Sequence, residues 1–296
     1  MAAAQRPAPR PAAGAVVQGT CGWSDSDAPW SRARGSADRL RMYANAMGVF
    51  GCVEVDTATY QLVPPEHVAR WVAATPRGFK FCFKAFGFLC AKGGQLGGQF
   101  PKDLAEKVGR GTAGWIRLEE VPKDIVGEIW RRFHASLEPA LAADKLGPTL
   151  FQYHVSFAPC EGNRQHVEWC RASLRADVQM AVEFRDRAWV SGAQLETTVK
   201  WLRGLGIALV VSDDLEHELP CRGNTVGPAH VQKVIKPRAE ATRLPLVARV
   251  TTPAFAFARV HRRSGTERTL TEAEIAEWSA LLRGMRSGGG LGLRPP

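Results

Sequence analysis

The chain contains no run of apolar residues approaching the ~18 of a spanning helix, so nothing in its 296 residues predicts a membrane segment. It has no Cys-x-x-Cys pair, which excludes a zinc ribbon and a thioredoxin-type redox motif. No Gly-x-Gly-x-x-Gly or Gly-x-x-x-x-Gly-Lys-Ser/Thr follows a predicted strand. Gly19-Thr-Cys-Gly22 is too short and wrongly spaced for either, so a Rossmann or P-loop nucleotide site is not expected. Neither His-x-His nor His-Glu-x-x-His occurs. Residues 1–15 hold no acid and no apolar signal core. They form an Ala/Pro/Arg tail expected to be disordered, with an organellar transit peptide as the lesser alternative to a cytoplasmic protein.

Hydrophobic residues make up 45% of the chain, enough for a sizeable core. Seven dispersed cysteines, Cys21, Cys52, Cys82, Cys90, Cys160, Cys170 and Cys221, fit buried free thiols in a reducing compartment. The net charge of +10 raises nucleic acid as a partner. Much of that excess, however, falls in the N-terminal tail, in Lys233 to Arg249 and near the C-terminus, and no recognition motif accompanies it.

The most informative stretch is Met180-Ala-Val-Glu-Phe-Arg-Asp-Arg-Ala-Trp189. It begins as a buried strand and ends with Glu183 and Arg185 on one face, because residues two apart on a strand point the same way. Further strands are predicted at 16–23, 49–56, 78–84, 147–154, 207–213 and 255–261. Helical spacing recurs over Ser36–Met47, Glu66–Ala74, Asp124–Lys145, Asn163–Leu174 and Gly192–Leu205. A last helix follows over Thr271–Met285, where Thr271 and Glu274 form a capping box. Residues 87–123, rich in Gly and Lys without a clear period, read as a long loop or insertion.

Strand and helix alternate, which argues for an α/β fold with a parallel sheet. Seven such units favour a TIM-like (β/α)8-type barrel in one domain over 16–286, followed by a disordered Gly/Pro tail at 287–296. Polar groups gather late in strand after strand: Glu54 and Asp56, Lys84, Gln152 and His154, Glu183 and Arg185, Asp213, Arg259 and His261. In a parallel barrel such ends converge on the mouth that carries the chemistry.

The functional reading is a pocket for a small polar, anionic ligand. Arg185, Arg259 and Lys84 would hold it, Glu183 or Glu54 would be the acid–base group, Gln152 and His261 would orient or shuttle protons, and Tyr60 and Trp23 would wall the site. Asp56, Asp213 and Trp189 complete the candidates. Three alternatives stand beside it. The charges could form a self-satisfied ion-pair network. A basic nucleic-acid-associated protein could carry a non-catalytic pocket. Finally, Glu54, Asp56, Glu183, Asp213 and His261 could hold a divalent metal in a phosphoesterase. His134, His166 and His230 read as solvated surface residues.

An ordered set of motifs resembles the domain-of-unknown-function family 72, the YecE-like TIM-barrel proteins. Gly19-Thr-Cys-Gly-Trp-Ser24 is similar to its Gly-Thr-Ser-Gly-Trp-Ser, and Val53-Glu-Val-Asp-Thr-Ala-Thr-Tyr60 to its Val-Glu-Val-Asn-Ser-Thr-Phe-Tyr. Phe79-Lys-Phe-Cys-Phe-Lys84, Leu146-Gly-Pro-Thr-Leu-Phe-Gln152, Ala181-Val-Glu-Phe-Arg185 with Trp189, and Phe257-Ala-Arg-Val-His261 continue the series. The resemblance implies a TIM-like barrel with a polar, enzyme-like pocket and supplies no substrate. Asp56 stands where the family has Asn, Cys21 where it has Ser, and Arg262 where it has Gly. Tyr153-His154-Val155 replaces a Pro-Pro. The family's eighth strand, with its Phe-Asn-Asn, has no counterpart after the last helix, unless a segment near Leu244–Val250 substitutes for it.

Overall fold

Parallel pairing and apolar helix stripes give an α/β fold. The computed structural model describes residues 16–24, 28–45, 49–96, 100–109, 111, 114–213, 245–260 and 270–286. The chain divides into two compact units, Met1–Phe151 with Ala172–Gln179, and Gln152–Arg171 with Met180–Pro296.

In the first unit, residues 16–20 run beside β1 (Cys52–Val55) without being a strand themselves. Gln18 O accepts from Gly51 N at 3.0 Å, and Thr20 O accepts from Glu54 N at 2.9 Å. Gly19 is required there, since a Cβ on it would lie 2.2 Å from Cys52 O. β1 pairs in parallel with β2 (Lys80–Phe83), setting Glu54 opposite Cys82. β2 is bridged in turn to Leu146, and Lys84 to Leu150, both in parallel. Around these strands stand α1 (Ser36–Asn45) and α2 (Pro65–Ala74), the latter opened by Pro65, whose missing N–H costs nothing in a first turn. Lys145 Nζ donates to Val72 O and Thr75 O, both at 2.7 Å, satisfying carbonyls at the end of α2.

The expected loop at 87–123 is instead built of short elements: α3 (Gly87–Cys90), β3 (Gly93–Gln95), α4 (Lys102–Lys107) and β4 (Trp115–Arg117). β3 and β4 pair antiparallel, and Phe88, Leu89, Leu96, Phe100, Leu104 and Ile116 are buried. Each piece is too short to show a period, although the segment as a whole contributes these apolar residues to the core. α5 (Lys123–Ala142) follows, burying Ile125, Ile129, Phe133 and Leu137 at the predicted spacing of four.

The chain then passes along β5 (Thr149–Tyr153), whose last two residues belong to the second unit. There, β6 (Met180–Phe184) lies between the end of β5 and β7 (Ala208–Leu209). β6 is buried at every position, as its apolar start predicts. β8 (Val211–Ser212) pairs in parallel with β9 (Ala258–Arg259). The predicted strand over 207–213 is thus divided: Val210 N bonds Val182 O while Val211 N bonds Phe257 O, both at 2.9 Å.

Residues 245–252 make no strand. Thr251 Oγ1 instead accepts from Leu209 N at 2.8 Å and donates to Ile207 O at 2.6 Å, so a side chain occupies backbone positions that a neighbouring strand would take. The second unit also holds most of α6 (Glu161–Ser173), with α7 (Gly192–Gly204) and α8 (Glu272–Arg286). α8 packs Trp278, Leu281 and Met285 against Val211 and Ala248.

Among the described residues, the pairings form sheets of two, two, three and two strands and do not close into a barrel. Also among them, no helix is long and apolar enough to cross a membrane.

Candidate functional site

Two polar clusters lie at strand ends, one in each unit. In the first, Glu54 on β1 is 6% exposed and Lys84, just past β2, is 7% exposed. Lys84 Nζ lies 2.8 Å from Asp56 Oδ1, on the 3-10 turn that follows β1. Tyr60, just beyond that turn, is 59% exposed.

Trp23 is buried rather than lining a mouth. Its Nε1 donates to Ser36 O and Ser36 Oγ, both at 3.1 Å, and its ring meets Trp71 edge-on. It ties the first loop to the start of α1, a packing role.

The second cluster is built around Glu183, 1% exposed at the end of β6. Arg259 Nη1, from β9, donates to Glu183 Oε2 at 2.6 Å, and Gln152 Nε2, from β5, donates to the same oxygen at 3.1 Å. Three strands thus deliver a carboxylate, a guanidinium and an amide to one point. Glu183 Oε1 lies 4.0 Å from Arg185 Nε, and the Arg185 side chain is a quarter exposed. Asp213 is half-buried just after β8. Trp189 is a correction: it is fully buried in a stack with Phe184 and Trp201, and its Nε1 donates to Phe157 O at 2.5 Å. Aromatic partners distant in sequence claim it for the core.

His154, a polar strand end in the sequence, is exposed just after β5. Its Nδ1 accepts from Ser156 N at 3.2 Å, which leaves the ring proton on Nε2. Burial, and then the positive charge of Arg185, hold its pKa below the ordinary histidine value. The ring is therefore a neutral donor near pH 7.

His261 and His230 lie outside the described residues. His166, expected at the surface, is buried on α6 with its Nε2 3.7 Å from Cys170 Sγ. The cysteines divide: Cys82, Cys90 and Cys170 are buried and Cys52 is half-buried, but Cys21 and Cys160 are exposed. Among the described residues, no group of three His, Cys, Asp or Glu side chains is placed to hold a metal ion.

The profile of the family described as "Protein of unknown function DUF72" matches residues 17–291. The UPF0759 protein YunF of Bacillus subtilis (strain 168) is 30% identical over 199 residues, a match covering 67% of this chain and 61% of that protein. The chain thus spans about three-fifths of this relative's length. Among solved structures, a DUF72 family protein from Enterococcus faecalis V583 has a TM-score of 0.63 at 20% identity, covering 92% of this chain and 86% of its own. Another, from Thermotoga maritima MSB8, has a TM-score of 0.58 at 22% identity, covering 90% and 86%. Both share the fold of this chain, and with the profile match across nearly its whole length, the chain belongs to the DUF72 family.

Proposed function

We propose that the second-unit cluster is the anchoring part of an enzyme site for a small, polar, anionic substrate, carried on a single TIM-like barrel domain. The observation that carries this reading is the convergence of Gln152, Glu183 and Arg259 on one nearly sealed carboxylate oxygen, beside the accessible guanidinium of Arg185.

Arg185 binds the substrate's anionic group through its planar fork of N–H donors. The Nε2–H of neutral His154 donates to an adjacent oxygen, as a neutral imidazole does where charge develops on a substrate oxygen. Glu183, paired with Arg259, is the acid–base group or fixes Arg185. Lys84, Asp56 and Glu54 form a separate polar group in the first unit. For the barrel itself, the support is the parallel pairing of strands in chain order and the two solved family members of like fold.

The test is thermal unfolding of the purified protein against phosphorylated and carboxylated metabolites. A ligand at 100 times its dissociation constant adds about 2.7 kcal/mol by mass action. A shift that disappears in Arg185→Ala, in a variant that otherwise melts like the parent, supports the site. A full set of ligands in which no shift is abolished by Arg185→Ala removes it.

A further inference from the structure

The first unit contains a groove of about 340 Å³ between the start of α1 and the first turns of α2. It belongs to neither polar cluster. Arg34 and Ser36 approach it from one side, His67 and Arg70 from the other, with Ala37 and Trp71 as apolar wall. The chain is shaped to produce it. Gly35, at φ +97°, turns the backbone sharply between Arg34 and the helix, a conformation other residues rarely adopt. Pro65 starts α2 so that His67, Arg70 and Trp71, spaced three and four apart, share a face. Trp23 pins the α1 side through Ser36 and abuts Trp71, so the two walls are held by one aromatic contact.

The electrostatics of the groove are one-sided. Its single acid, Asp38, is engaged by Arg41 at 2.6 Å. Among the described residues, Arg34, His67 and Arg70 meet no carboxylate within ion-pair distance. Two guanidinia, Arg34 from the turn before α1 and Arg70 from α2, thus line a common space where, among the described residues, the one lining carboxylate is already paired with Arg41. The amides of the first turn of α1, which have no partner within the helix, add positive potential at the same end. The volume is at the lower end of small-molecule sites, which run from about 300 to 1,000 Å³.

We infer that this groove binds the phosphate group of a small phosphorylated metabolite, with Arg34 and Arg70 gripping the phosphate, His67 donating to it, and Trp71 lying against the rest of the molecule. Guanidinium forks match a phosphate's oxygens in pairs, which a point charge on a lysine does not. The apolar wall favours an organic ester with a flat ring over the inorganic ion.

The experiment is calorimetric titration of the full chain with inorganic phosphate, adenosine monophosphate and adenosine, with Trp fluorescence followed in parallel. Adenosine monophosphate binds best, phosphate more weakly and adenosine not at all. Arg34→Ala and Arg70→Ala each weaken nucleotide binding at least about tenfold, one charge-assisted contact being lost in each. Both residues are exposed, so the variants keep the parent melting temperature. Arg185→Ala leaves this binding unchanged, which separates the groove from the site proposed above. Three outcomes overturn the inference: no saturable binding of any of the three probes, equal binding of adenosine and its monophosphate, or binding to both arginine variants as tight as to the parent. Preferential, steeply salt-dependent binding of an RNA oligonucleotide also overturns it, by assigning the arginines to a nucleic-acid backbone.

Discussion

Arg259 Nη1 lies 2.6 Å from Glu183 Oε2, and the two side chains are only 7% and 1% exposed. The pair joins the last described strand of the second unit to its most buried one. Removing either residue alone strips a buried charge of its nearest opposite charge.

The first expectation follows from that asymmetry. Arg259→Met costs about 3–5 kcal/mol of stability, and Glu183→Leu a comparable amount. Combining them recovers most of the loss, because the double variant buries no uncompensated charge. Urea unfolding of the four proteins closes the cycle. A double variant as unstable as the sum of the singles would show that the pair is not the energetic unit described here.

Gly19 makes the second case. A Cβ there meets Cys52 O at 2.2 Å and Cys52 Sγ at 2.7 Å, and the carbonyl belongs to β1 and cannot swing aside. Gly19→Ala is expected to cost about 1–3 kcal/mol through forced separation of residues 16–20 from β1. Gly22→Ala is the control for space, since nothing lies within 4 Å of that position, although its φ of +128° adds strain of its own. An alanine at Gly19 that melts with the parent would mean the first segment moves freely against β1.

Much of this was legible from the amino acids. The buried strand β6 was readable from its run of apolar residues Met180, Ala181 and Val182. The four-residue spacing of α5 and the capping box of the last helix were equally plain. What escaped was set by long-range packing. Trp23 and Trp189 both follow strand ends, where a mouth residue would stand, but Ser36 and Phe157 claim their indole N–H groups. Residues 87–123 hid two short helices and an antiparallel pair of short strands because none is long enough to display a period. The groove at Arg34 and Arg70 required knowing that α1 and α2 are neighbours.

The capping box supplies a local test. Thr271 N donates to Glu274 Oε2 at 2.8 Å, and Glu274 N donates to Thr271 Oγ1 at 3.3 Å, so each end satisfies the other. Thr271→Ala is expected to lower stability by about 0.5–2 kcal/mol, and Thr271→Ser to preserve it. Because α8 packs on Val211 and Ala248, amide exchange at the first turn of α8 should rise in the alanine variant before the rest of the unit changes.

Tyr43 gives the protein a predictable alkaline limit. It is fully buried on α1, its hydroxyl donating to Cys52 O at 2.9 Å and accepting from Thr20 N at 2.8 Å. Burial pushes its pKa up to about 12 from the ordinary 10.0, more than the Thr20 bonds pull it down. Between those values the unfolded chain loses the phenol proton while the folded chain keeps it. Stability from this group is therefore complete below pH 10 and falls as pH rises toward 12, by about 2–3 kcal/mol in all. Tyr43→Phe should begin less stable at pH 8, by about 1–3 kcal/mol for the polar groups it leaves behind, yet lose less on titration from pH 10 to 12. The comparison of slopes, measured by urea unfolding at each pH, isolates this phenol from the lysines that titrate in the same range. Parallel slopes would mean that Tyr43 ionises as readily in the folded chain as in the unfolded one.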